Sequence, residues 1–218
     1  MDTRREVIDA IQQLGVVAII RMKDAAKLRE VFDALAEGGV RAIEVTMTVP
    51  DAVSLIRKLA ASLPQHLWLG AGTVLDPETV RAVVDAGARF VVSPVLRPDV
   101  VAECHKRGVA AAPGCFTPTE ILNAHDLGAD VVKVFPATAL GPQFIKDIRA
   151  PLPQLKLMPT GGVSLDNAGD WIRAGAVAVG AGSALLDARA IEEGRLEAIT
   201  ANARRIVASV AAARTKAS

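Results

Sequence analysis

Short apolar runs recur along the chain, each followed by a polar turn and then by a segment whose apolar residues repeat at helical spacing. In order they are VVAII from Val16, AIEVT from Ala42, LWLGA from Leu67, FVVSP from Phe90, VAAAP from Val109, VVKVF from Val131, LKLMP from Leu155 and AVAVG from Ala176. Their spacing of roughly 20 to 26 residues is the period of a strand and helix joined by short loops. The helical segments carry their own punctuation. DAAKLREVFDALAEGG opens on Asp24, an N-cap residue type, and closes on Gly38 and Gly39. DPETVRAVVDAGA starts with Asp76 as cap and Pro77 at the first helical position, then ends at Gly87. A glycine before the next strand returns in HKRGV, HDLGAD and IRAGAV.

Eight such alternations predict a (β/α)8 TIM barrel. A doubly wound open sheet is the alternative, but no glycine fingerprint follows the first strand. No linker divides the runs, so one domain is expected over residues 1–218. Its barrel should span about 16–187, with an additional N-terminal helix over about 2–14 and a C-terminal helix over about 190–213.

Composition narrows the function classes. With 51% hydrophobic and 22% charged residues and a formal net charge of +1, the chain offers no basic surface for nucleic acid or an anionic membrane. Aromatics make up 3% and Tyr is absent, so stacking platforms for single strands are missing as well. No apolar run reaches the roughly 18 to 20 residues of a bilayer span, and the amino end lacks the unbroken apolar stretch of a signal peptide. Cys104 and Cys115 form neither a disulfide framework nor a metal-ligand spacing, which fits a reducing cytoplasm. His66, His105 and His125 are scattered, so no metal site is expected.

Two charged residues interrupt apolar strands. In the sixth run, Val132 and Val134 suit the helix-facing side, which turns Lys133 into the barrel. In the second, Ile43 and Val45 do the same for Glu44 and Thr46. An amine and a carboxylate are therefore expected in one confined space, as a plain buried ion pair, as a lysine that snorkels to the rim instead, or as chemistry. Glycine-rich turns after the last two strands, PTGGVS from Pro159 and VGAGSAL from Val179, stand where barrels often hold phosphate. A lysine whose ammonium form is disfavoured by burial can attack a ketone to give an iminium, with Glu44 moving protons nearby. The neighbouring carboxylate pulls the lysine pKa the other way, and the sequence leaves that competition open.

The segments EGGVRAIEVT, GAGTVLDPE, VVSP, PGCFTPTE, VKVFPA, GPQFIKDI and MPTGGVSLDN, in this order, resemble the 2-keto-3-deoxy-6-phosphogluconate and 4-hydroxy-2-oxoglutarate aldolase family, from about Val16 to Leu186. The resemblance implies a homotrimeric class I aldolase that forms a covalent lysine iminium without a metal or other cofactor. Its products would be pyruvate and glyceraldehyde 3-phosphate, and from 4-hydroxy-2-oxoglutarate pyruvate and glyoxylate. The Schiff-base lysine falls on Lys133 and the acid/base glutamate on Glu44. Thr73 and Thr160 look like pyruvate-pocket residues, Gly161, Gly162 and Ser183 like the phosphate site, and Pro94 and Phe135 like apolar walls.

One departure stands out. Many members of this family carry an arginine shortly after the glutamate, where this chain has Thr48 in EVTMTVPDA. Arg21, at the end of VVAIIR, is a compensating cation for the substrate carboxylate, as in members that act on the galactonate epimer. That epimer, or a non-aldol phosphosugar-binding barrel, is the alternative function.

Overall fold

A computed structural model describes residues 4–22, 25–64 and 66–215; Asp24, and Asp2 and Thr3 of the expected amino-terminal helix, lie outside them. The described chain starts with α1 (Arg4–Leu14), β1 (Val16–Ile20), α2 (Leu28–Glu37), β2 (Ala42–Thr46), α3 (Ala52–Ala60), β3 (Trp68–Gly72), α4 (Pro77–Asp85), β4 (Phe90–Val92) and α5 (Pro98–Lys106). It continues through β5 (Ala110–Ala112), β6 (Gly114–Cys115), α6 (Pro118–Asp126), β7 (Val132–Val134), α7 (Gly141–Arg149), β8 (Leu157–Pro159), α8 (Ala168–Arg173) and β9 (Val179–Ala181). Two helices close it, α9 (Ala188–Glu192) and α10 (Leu196–Thr215).

The strands run parallel. Six of them, in the order β5-β4-β3-β2-β1-β9, curl into a half-barrel, and β6, β7 and β8 form a smaller sheet. The fifth apolar run, VAAAP from Val109, carries β5, and a second short strand, β6, which the run did not include, follows Pro113 directly. Proline has no N–H for the ladder, so pairing cannot continue through it. Before it, Ala110 pairs with Phe90 of β4; after it, Gly114 pairs with Lys133 of β7. The β5–Pro113–β6 stretch thus joins both sheets, and the Pro113 carbonyl accepts from the Lys133 amide at 2.9 Å. At the opposite side, the Val177 amide donates to Leu157 O at 3.0 Å and Thr160 bridges to Gly180.

Alternation along each strand separates two apolar layers. Ile20, Ile43, Val45, Val132 and Val134 turn outward and pack with helix residues such as Phe32, Leu35 and Ile206. Val17, Ala42, Phe90, Ala110, Val131 and Met158 turn inward, and Val7, Ile8 and Ile11 of α1 pack over them. Each buried Val, Ile, Leu, Phe or Met among them stabilises the fold by roughly 1.5–3 kcal/mol, and each alanine by less. Because Val17, Ala42 and Val131 stand at the amino-terminal ends of their strands, α1 covers that end, and the carboxyl-terminal ends are left to the loops.

Local signals set the helix limits. The Asp76 side chain accepts from the Thr79 amide at 2.7 Å, with Pro77 in the first turn. Thr117 and Glu120 cap α6 reciprocally, each side chain accepting from the other's backbone amide. The helix expected over the last residues is two, α9 and α10, because Gly194 turns the chain at φ 74°. No helix among the described residues is long and apolar enough to cross a membrane.

The inner layer is tight at Gly70, where a Cβ would stand 2.3 Å from the Phe90 ring. Gly70→Ala should therefore cost about 1–3 kcal/mol by overpacking, measured by urea unfolding, with Phe90→Leu in the same chain restoring part of the loss.

Candidate active site

Lys133 lies between the outward-facing Val132 and Val134, and its side chain turns inward with 2% of its surface exposed. Glu44, between Ile43 and Val45, turns inward likewise and is 1% exposed. Its carboxylate stands over Gly72, where a Cβ would lie 2.5 Å from Oε1, so only glycine leaves that position free. Neither Glu44 oxygen has a hydrogen-bond partner in the protein.

Burial pushes the Lys133 ammonium below its ordinary pKa; the Glu44 charge opposes this and Arg21 reinforces it. Burial also raises the Glu44 carboxyl, against the pull of Lys133 and Arg21. The competition left open by the sequence resolves in favour of desolvation, because the carboxylate supplies no hydrogen bond to hold the charged amine. The Phe135 ring sits with its centroid 5.0 Å from Lys133 Nζ, an apolar wall with a weakly negative face.

Beside these groups, at the carboxyl-terminal ends of β1, β8 and β9, opens a cavity of about 590 Å³. Six of the expected site residues line it: Arg21, Phe135, Thr160, Gly161, Gly162 and Ser183. Thr160 Oγ1 is buried without a partner, and a Cβ at Gly180 would stand 2.3 Å from it. Gly161 and Gly162 take φ of 91° and 72°, and a Cβ on Gly162 would press the Thr138 backbone at 2.9 Å. Asn167 braces this turn, accepting from the Ser164 amide at 2.8 Å and donating to Gly162 O at 2.9 Å.

The other four are not in the cavity wall: Lys133 and Glu44 lie behind it, Lys133 against the lining residue Phe135, and Thr73 and Pro94 stand apart from it. Thr73 follows β3 directly, with φ 61°, a conformation that a β-branched residue rarely adopts. Pro94 is half-buried after β4, close enough that a Cβ on Gly114 would meet its carbonyl at 2.3 Å. Cys115 faces the helix layer, where its thiol donates to Glu120 O and burial pushes its pKa up to about 12. Among the described residues no cluster of three or more His, Cys, Asp or Glu could hold a metal ion.

The structure adds Met22, Leu186, Ile191 and Glu192 to the cavity wall. Apolar residues in loops or a short helix carry no sequence signal that separates them from core, and Glu192 reads as one more surface carboxylate. Gly72 and Gly180 did carry one, since a glycine on the inward face of a strand marks a close approach.

Residues 7–202 match the family described as "Aldolase: KDPG and KHG aldolase". A 2-dehydro-3-deoxy-phosphogluconate aldolase of Treponema pallidum is 36% identical over 205 residues, 92% of this chain and 94% of that protein. A probable 2-dehydro-3-deoxy-6-phosphogalactonate aldolase of Rhizobium meliloti is 39% identical over 171 residues, 78% of this chain and 81% of that one. A crystal structure of KDPG aldolase from Legionella pneumophila, with pyruvate captured as a covalent carbinolamine, superposes with TM-score 0.85 at 29% identity, covering 94% of this chain and 98% of that one.

The unusual backbone at Thr73 makes a separate test of strain. Replacing it by glycine relieves about 1–3 kcal/mol and adds about 0.5–1 kcal/mol of chain entropy to lose on folding. Thr73→Gly should therefore melt no lower than the parent in calorimetry; a clear fall in Tm would show that the threonine's contacts outweigh its strain.

Proposed function

The chain belongs to the KDPG and KHG aldolase family, and from that premise we propose that it is a class I aldolase for 2-keto-3-deoxy-6-phosphogluconate, with 4-hydroxy-2-oxoglutarate as a further substrate. The observation that carries this reading is Lys133, an inward-facing amine held out of water with a lowered pKa beside the unpartnered Glu44 carboxyl. A neutral amine is the nucleophile that a Schiff base needs.

In the proposed sequence the Lys133 amine attacks the C2 carbonyl of the substrate to give a carbinolamine, which loses water to form an iminium. Glu44 gives and takes the protons of these steps. Loss of the C4 hydroxyl proton then breaks the C3–C4 bond, and its electron pair passes into the iminium. Glyceraldehyde 3-phosphate leaves, and the resulting enamine is protonated at C3. Water hydrolyses the pyruvate iminium and restores the amine. The electron sink is the chain's own lysine, so we assign no metal or other cofactor to the reaction. Arg21 would hold the substrate carboxylate, Thr160 the pyruvate portion, and the Gly161, Gly162 and Ser183 turns the phosphate, supported by their shared cavity. Phe135 would wall the pyruvate site, while Thr73 and Pro94 would border it from the ends of β3 and β4.

We read the two sheets as one closed (β/α)8 barrel in a single domain, with α1 as the additional N-terminal helix across its base. The continuous β5–β6 stretch and the Thr160 to Gly180 bridge support this. A homotrimer is proposed on Leu75, Val95 and Phe116, exposed large apolar residues that follow strands β3, β4 and β6. The buried free thiols of Cys104 and Cys115 suit a cytoplasmic location. A second reading, the galactonate epimer as preferred substrate, is favoured by the Rhizobium meliloti relative and by Arg21. The ratio of kcat/KM on the two epimers decides between them.

Borohydride reduction in the presence of pyruvate should inactivate the enzyme with a single adduct, mapped by peptide mass to Lys133. An adduct elsewhere, or none, defeats the mechanism. The amine is the reacting form, so the trapping rate should rise with pH and reach half its maximum below pH 10.5, the ordinary lysine value. Gly72→Ala, which drives a methyl group into the Glu44 carboxylate, should lower kcat by about a hundredfold, read from steady-state cleavage rates.

A further inference from the structure

Two hydroxyl groups lie between the end of β1 and the turn after β2. Thr46 is fully buried, and its Oγ1 donates to Ile20 O at 3.1 Å. The same Oγ1 is 2.7 Å from Thr48 Oγ1. A hydroxyl has one proton, and that of Thr46 is committed to the carbonyl. Thr48 must therefore be the donor in the second bond, which leaves its outer face with acceptor capacity only. The chain runs in one direction, from Thr48 to Thr46 to the Ile20 carbonyl.

That carbonyl belongs to the peptide group that leads into Arg21. The ladder between β1 and β2 has its last pair at Ile20 and Val45, so Arg21 extends one residue beyond backbone pairing. An exposed guanidinium that acts on the buried Lys133 and Glu44 needs its stem fixed at that point. We propose that Thr46 and Thr48 are positioning residues: their hydroxyl chain continues the β1–β2 register past its last pair and holds Arg21 toward the cavity. The proposal rests on the reading of Arg21 as the carboxylate-binding residue. It adds that the hold on the carboxylate is set by the second strand as well as the first.

The test is steady-state cleavage kinetics of Arg21→Ala, Thr46→Val, Thr48→Ala and Thr48→Ser, each with its melting temperature. Thr46→Val and Thr48→Ala should raise KM about three- to tenfold, the worth of one hydrogen bond, with kcat within about twofold. Thr48→Ser should restore the parent KM. In an Arg21→Ala background, Thr48→Ala should add nothing, because its effect passes through the guanidinium. A KM that rises in Arg21→Ala but stays unchanged in both threonine variants overturns the hydroxyl chain alone. A KM indifferent to Arg21→Ala removes the premise and the proposal with it. If Thr46→Val melts far below the parent, the surface variant Thr48→Ala and its serine rescue decide the matter.

Discussion

Holding an amine and a carboxyl group out of water in one inner layer is the demand that the rest of this structure meets. Each ion costs several kcal/mol to desolvate, and the attraction between the two repays that only where hydrogen bonds complete the pair. Here they do not: both Glu44 oxygens lack partners, and burial outweighs the mutual attraction in the pKa of each group. Such an arrangement lowers the stability of its surroundings, and it persists because the apolar layers around it are well filled. Val7, Ile8 and Ile11 of α1 cover the amino-terminal ends of the strands, and the outward-facing residues are buried under the helices. With one end sealed, the cavity stands at the other, among the loops at the carboxyl-terminal ends of the strands.

Much of this was legible in the residues because strand alternation is a strict rule. Valines on either side of Lys133 and the Ile43 and Val45 pair around Glu44 leave a single choice of face, and the structure follows it. Helix limits at Asp76 and Pro77 were equally readable, since capping is local chemistry. What stayed hidden depends on contacts between distant segments. Pro113 was visible, but its effect, a change of partner from β4 to β7, follows from where the neighbouring strands lie. Thr48 read as the loss of a cation; only the fold shows its hydroxyl meeting that of Thr46.

Positions without side chains do as much to define the site as the reactive ones. Gly72, Gly180 and Gly162 each stand where a Cβ would strike the Glu44 carboxylate, the Thr160 hydroxyl or the Thr138 backbone. A methyl group at any of them must displace a polar group or the Gly161 and Gly162 turn by about an ångström, a distance at which a reaction that depends on alignment loses most of its rate. The strand side of the site is therefore set by strands and glycines and has little freedom to change. Its far wall is different in kind: Met22, Leu186 and Ile191 are apolar loop and helix residues, with Glu192 the carboxylate among them. Apolar contacts discriminate weakly between molecules of similar size. On the proposed reading, then, every substrate meets the same amine and the same carboxylate contact, and the choice among aldehyde partners falls to the polar groups that meet the far end, the phosphate turns and Glu192.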